Sequence, residues 1–184
     1  MHRLILHPTD PSHVPDDPRT VIRGLQREGF AGEPCETEKS ALRVGPRFTE
    51  WVSFLGCSPH LRLAPEAPGQ PYTRLEIPAP ASAPRLIAGA NVKPPRCPRC
   101  RRPFVDRAGL QPLPADPAAR RACMHCGCET AWLALDWRRS ACAARWWIAI
   151  TEIHESEAVP TPALLDRLGA LGGGRWDYCY VRDG

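Results

Sequence analysis

Four cysteines stand in two pairs whose spacing is typical of a metal site. Two residues separate Cys97 from Cys100 and Cys123 from Cys126, and 22 residues lie between the two pairs. Four thiolates at this spacing can complete a tetrahedral shell around one zinc ion. A closed shell of this kind leaves no open position for a substrate, so the pattern predicts a structural Zn²⁺ and names no reaction.

The residues inside and after each pair favour the tight turn, or knuckle, that such a site needs. Backbone N–H groups in the turn point at the sulfurs, and Pro98 and Gly127 are the turn-forming residues at the two pairs. The knuckles at 97–100 and 123–127 resemble those of the zinc-ribbon superfamily over residues 90–135. Because zinc ribbons occur in transcription factors, ribosomal proteins, topoisomerases and adaptors, the resemblance implies a zinc ribbon without implying one activity.

Other ligand sets and other uses of the thiols remain open at this stage. Cys128 lies two residues after Cys126, and His125 lies inside the second knuckle, so either residue could replace a ligand. The two-residue spacer favours Cys126, since it lets both sulfurs of a pair face one metal. Iron–sulfur clusters and redox dithiols use the same residues, but no further cluster spacing flanks these pairs.

Positive charge is concentrated around the predicted ribbon. Residues 93–145 hold eleven basic and four acidic side chains, whereas the whole chain has a net charge of only +4. A zinc ion with four thiolates adds two negative charges and leaves this asymmetry in place. We expect an Arg-rich surface that docks on nucleic acid or a ribonucleoprotein, or alternatively on an acidic protein as an adaptor. The candidate nucleic-acid-binding residues are Arg96, Arg99, Arg101, Arg102, Arg120 and Arg121.

A small hydrolase-like enzyme is the alternative of another class. Its acid/base groups would be Glu152 and His154, placed on one face at the end of a predicted strand, with His7 or Cys57 as further candidates. Charged strand ends are usually only solvated, and no phosphate loop, Rossmann glycine fingerprint or His-Glu-x-x-His motif occurs. The sequence therefore favours a non-catalytic protein.

The elements that must position these groups alternate between strands and helices. Strands are predicted at 4–6, 61–63, 72–77, 145–153 and 176–180, and helices at 17–29, 46–55 and 161–171, with Asp17 and Thr161 as caps. This order predicts an α/β (α+β) fold, a small mixed-sheet sandwich with an inserted zinc ribbon. The parts would be an N-terminal part of the body at 1–89, the ribbon at 90–135, and a strand-helix-strand part at 136–184.

The remaining expectations concern the cellular compartment and the source of the protein. No apolar run is long enough for a membrane span, the first residues lack a signal-peptide core, and nine cysteines with two metal-type pairs suit a reducing compartment, so we expect a cytoplasmic protein. The segments 54–61, 94–100 and 176–183 resemble small bacterial zinc-ribbon proteins of similar length. That resemblance implies a bacterial protein and no activity, and the oligomeric state stays open.

Overall fold

The computed structural model describes residues 1–35, 40–55, 61–65, 67, 69–110 and 112–184. Three α-helices lie in these ranges: α1 (Pro18–Arg27), α2 (Phe48–Trp51) and α3 (Pro162–Gly172). Twelve strands lie in the same ranges: β1 (His2–Pro8), β2 (Ala31–Pro34), β3 (Ala41–Val44), β4 (Val52–Phe54), β5 (Arg74–Glu76), β6 (Arg85–Ala88), β7 (Arg120–Ala122), β8 (Glu129–Ala131), β9 (Ala141–Ala144), β10 (Ile148–Thr151), β11 (Ala158–Pro160) and β12 (Trp176–Arg182). None of the described helices has the length and apolar composition needed to cross a bilayer.

Six strands form the main sheet in the order β12-β1-β10-β5-β3-β2. β1 lies between β12 and β10, so that Leu4 faces Tyr180 on one side and Ile150 on the other. All described pairings are antiparallel, and the parallel pairs expected of a mixed sheet do not occur among them. The predicted α+β fold is confirmed, and β10 is an interior strand as its two-sided apolar pattern indicates.

Helices α1 and α3 cover one face of this sheet. Asp17 and Thr161 cap them through side-chain oxygens that accept backbone N–H groups at 3.0 and 3.2 Å, as predicted. The two helices approach closely at Gly24, where a Cβ would lie 2.5 Å from Leu171 Cδ2 and the Leu171 side chain would have to move. The core under the helices includes Leu4, Leu6, Val21, Leu25, Phe30, Leu75, Trp146, Ile148, Ile150, Leu164 and Leu168.

The opposite face of the sheet packs against the β6–β9 pair. Ile5, Ala149 and Cys179 of the sheet meet Ile87 and Cys142 in a separate buried cluster. All four residues of β9 are buried alanine or cysteine, and such small side chains let the two layers approach closely. The body therefore has three layers: helices, main sheet and β6–β9 pair.

The segments that enter and leave the predicted ribbon protect the outer edge of β12. The N–H of Ala90 donates to the Arg182 carbonyl at 2.7 Å, and the N–H of Tyr180 donates to the Arg139 carbonyl at 2.9 Å. The Asn91 side-chain oxygen accepts the N–H of Arg182 at 2.9 Å. Backbone groups of an edge strand invite pairing with other chains, and here the segments at both ends of the predicted ribbon occupy them.

Two predicted elements are wrong. The helix expected at 46–55 is a single turn, α2, after which Val52 turns to the extended φ of −127° and begins β4. β4 pairs with β11, Val52 opposite Pro160, and these inter-strand hydrogen bonds replace further helical turns. The strand expected at 61–63 does not form, although the carbonyl of Arg62 accepts the N–H of Thr73 at 2.7 Å.

A second hydrophobic cluster, the ribbon cluster, spans the predicted ribbon and the six residues that follow it. Its buried members are Cys97, Phe104, Val105, Leu110, Cys123, Trp132, Leu135, Trp137 and Ala141. Within it, Phe104 meets Trp132 edge-on at 6.1 Å, and Trp132 stacks on Trp137 at 5.8 Å. The division of the chain at residues 89 and 135 itself remains a prediction.

Candidate metal centre

The two knuckles have the same backbone geometry. In the first, the N–H of Arg101 donates to the Cys97 carbonyl at 2.9 Å, and in the second the N–H of Gly127 donates to the Cys123 carbonyl at 2.9 Å. The donor residue is left-handed in both, with φ of 61° at Arg101 and 66° at Gly127. Glycine adopts this conformation without strain, whereas arginine does so at a cost. The first knuckle is therefore held in a conformation that its own sequence disfavours.

The four sulfurs converge at the spacing of a tetrahedral zinc shell. Cys97 Sγ lies 3.7 Å from Cys126 Sγ, and Cys100 Sγ lies 3.8 Å from Cys123 Sγ. Zinc–sulfur bonds of about 2.3 Å set the edge of a regular tetrahedron at about 3.8 Å. These separations are far longer than a disulfide bond of about 2.05 Å. The group could thus hold one zinc ion, with two of its cysteines, Cys97 and Cys123, buried.

The thiols of this group differ sharply in acidity. Backbone N–H groups of Cys100 and then Arg99 point at the Cys97 sulfur and lower the pKa of Cys97 to about 6. At Cys126 the N–H of Cys128 lowers the pKa, but burial and the neighbouring sulfurs together raise it to about 12. Burial and hydrogen bonds to the neighbouring sulfurs favour the neutral form of the Cys126 thiol, and a bound divalent cation would offset that penalty.

The remaining thiol and imidazole near the second knuckle lie outside the group. Cys128 Sγ lies 3.6 Å from Thr130 Oγ1, and its carbonyl accepts the N–H of Cys123 at 3.0 Å. His125 is exposed. Among the described residues, the sulfur that joins Cys97, Cys100 and Cys123 is therefore that of Cys126.

All six candidate arginines are exposed, but they do not share one surface. Arg99, Arg101 and Arg102 lie on the first knuckle or just after it, where Arg101 pairs with Asp136 at 3.5 Å. Arg120 and Arg121 are successive residues of β7 and therefore point to opposite faces of the β7–β8 pair. Arg96, by contrast, lines a cavity between the ribbon region and the body.

The proposed acid/base groups of a hydrolase are not aligned along one strand, although Glu152 and His154 both lie near His2. Glu152 has a left-handed φ of 55°, so the strand ends at Thr151 and the alternation expected to align Glu152 with His154 is lost. The His154 ring stacks on His2 at 4.0 Å. His7 lies five residues after His2 on β1, which places it roughly 16 Å from the His2–His154 pair. Cys57 falls outside the described residues.

A second group of metal-ligating side chains was not predicted from the sequence. His7, Cys142 and Cys179 place one donor atom each within 4.8 Å of one another. Burial lowers the pKa of the His7 imidazole and raises that of the Cys142 thiol. No spacing motif could have revealed the group, because its members lie on three strands separated by 135 and 37 positions.

Comparison with protein-family models, with curated proteins and with solved structures finds no match for this chain. The zinc-ribbon resemblance therefore rests on the four-cysteine group alone. Function has to be argued from the chemistry of the sites.

Proposed function

We propose that this protein is a non-catalytic zinc-binding protein that docks on nucleic acid, bare or within a ribonucleoprotein. In this proposal one structural Zn²⁺ is held by Cys97, Cys100, Cys123 and Cys126. The supporting observation is the two matched knuckles, whose sulfurs lie 3.7 and 3.8 Å apart along two edges of the group. A shell of four thiolates is coordinatively complete, so this zinc would organise the fold rather than react.

The first knuckle is the centre of the proposed nucleic-acid surface. Its backbone from Cys97 to Arg102 is committed to the turn, since the N–H of Cys97 donates to the Arg102 carbonyl at 2.9 Å. The side chains of Arg99, Arg101 and Arg102 consequently project to solvent. Guanidinium groups on a rigid turn suit phosphate recognition, because the backbone that carries them needs no ordering on binding. Arg96, Arg120 and Arg121 would contribute at the periphery or through long-range charge.

Salt dependence tests this proposal. Binding of a labelled mixed-sequence DNA duplex would be followed by fluorescence anisotropy at several salt concentrations. Replacing Arg99, Arg101 and Arg102 together by glutamine should weaken binding equally for all sequences. It should also flatten the logarithmic salt slope by up to about 2.7, at about 0.9 per lost phosphate contact.

A matched control removes the same charge elsewhere. Arg19, Arg23 and Arg27 are exposed on helix α1, so their replacement by glutamine lowers the net charge equally without touching the knuckle. The proposal requires this control to keep most of the wild-type affinity. An equal loss of DNA affinity in both variants would show that binding depends on net charge and not on the knuckle. Absence of binding to DNA and RNA, with nuclease-resistant capture of an acidic protein, would support the adaptor instead.

A further inference from the structure

His7, Cys142 and Cys179 converge because the fold stacks two layers at this point. His7 and Cys179 lie on one face of the main sheet. Cys179 of β12 pairs directly with Ile5 of β1, and Ile5 shares its face with His7, which is two residues further along the strand. Cys142 approaches from β9 in the layer above. The three donor atoms lie within 4.8 Å of one another. In a zinc shell with bonds of about 2.0–2.3 Å they would lie about 3.5–3.8 Å apart, so small side-chain shifts of about 1 Å would complete it.

The hydrogen bond of His7 prepares its ring for a metal. Nδ1 lies 2.9 Å from the Pro8 carbonyl oxygen, and because a carbonyl can only accept, Nδ1 carries the hydrogen. In the neutral ring this leaves the lone pair on Nε2. A carbonyl partner on one ring nitrogen and a metal on the other is the usual arrangement of a metal-binding histidine.

One side of the group opens onto a cavity of about 550 Å³ between the body and the ribbon region. His7 and Cys142 lie in its wall, while Cys179 is not part of the lining. Asp177 also lines it, but its Oδ1 accepts the Tyr178 N–H at 2.8 Å and lies 3.8 Å from Arg139 Nη2. The carboxylate is thus engaged beside the group rather than within it.

We propose that His7, Cys142 and Cys179 bind a second zinc ion whose fourth position faces this cavity. Two thiolates and an imidazole suit zinc among the common divalent metals. Three protein ligands with one open position characterise reactive zinc sites, in contrast to the closed shell of the knuckles. Arg96, Arg138 and Arg139 also line the cavity, so the open position would take water or an anionic group. The two proposals share only Arg96, and the zinc ligands of this site do not depend on the proposed docking on nucleic acid.

Metal stoichiometry tests the second site directly. Full-length protein purified with reducing agent and equilibrated with Zn²⁺ should hold two zinc ions per chain by elemental analysis. His7→Ala and Cys142→Ala should each hold one, and so should Cys100→Ser, which removes a knuckle ligand instead. Cys35→Ala is the matched control and should keep two, because Cys35 is a buried thiol that contacts Tyr72 and belongs to neither group.

Cobalt substitution then reports on the coordination. The difference between the cobalt spectra of the wild type and His7→Ala should show thiolate charge-transfer and tetrahedral bands, and sodium azide should shift them. A spectrum that azide leaves unchanged would refute the open position. Three results would overturn the second site altogether. The first is one zinc ion per chain in the wild type, and the second is two zinc ions in both His7→Ala and Cys142→Ala. The third is a Cys142–Cys179 disulfide in the reduced, zinc-equilibrated protein.

Discussion

Cys100→Ser should unfold the ribbon region while leaving the helix-covered body intact. The substitution removes one proposed zinc ligand from the four-cysteine group. Structural zinc contributes about 10–16 kcal/mol to the folding of small zinc modules. Since whole domains are typically stable by only about 5–15 kcal/mol, the ribbon cluster cannot absorb a loss of this size. The core beneath α1 and α3 is a separate cluster and does not depend on the knuckles.

Tryptophan fluorescence can resolve the two regions. Trp132 and Trp137 belong to the ribbon cluster and are 5% exposed, whereas Trp146 and Trp176 belong to the body core. Two of the six tryptophans should therefore become solvated in Cys100→Ser, so that about a third of the emission shifts to the red. Far-ultraviolet circular dichroism should change little, because neither α1 nor α3 lies in the ribbon region.

Cys128→Ser is the matched control, since this thiol lies near the second knuckle but outside the group. It should keep the knuckle zinc and the wild-type emission. Two outcomes would refute the reasoning. Zinc retention with an unchanged spectrum in Cys100→Ser would show that the thiol is no ligand. Solvation of all six tryptophans with loss of helical signal would show that ribbon and body fold as one unit.

Three further predictions concern the backbone and acidity of the knuckles and their junction with the body. Gly89→Ala should destabilise the protein by about 1–3 kcal/mol in urea unfolding, because its Cβ would lie 2.1 Å from a carbonyl oxygen at the end of β12. Gly184→Ala, where nothing lies within 4 Å, should change stability negligibly. At the left-handed positions, Gly127→Ala should weaken the free energy of zinc binding by about 1 kcal/mol, as measured by zinc-chelator competition. In the same assay Arg101→Gly should bind zinc more tightly than Arg101→Ala by a similar amount. Equal zinc affinity of the two Arg101 variants would contradict this. Acid should release the knuckle zinc because protons compete with the metal for the thiolates, and release should begin only below about pH 6, since the pKa of Cys97 is lowered to about 6 even without metal and a bound cation would lower it further; a zinc-indicator titration showing release already at neutral pH would contradict this.

The sequence alone was sufficient for features that depend on neighbouring residues. A two-residue spacer brings both sulfurs of a knuckle to one side of a turn, and the expectation that the two knuckles come together follows from the metal site that their spacing predicts. Helix caps are equally local, which is why Asp17 and Thr161 marked the starts of α1 and α3 correctly. The two-sided apolar run at 145–153 similarly indicated an interior strand.

Only the tertiary structure decided the features that depend on distant partners. Val52 begins a strand because β11 lies beside it, whereas its own apolar spacing favours a helix. The β6–β9 pair joins segments more than fifty residues apart, and nothing in either segment specifies the other. His7, Cys142 and Cys179 become a group for the same reason: strand register and layer packing fix their proximity, and neither is encoded within a few residues of any one of them.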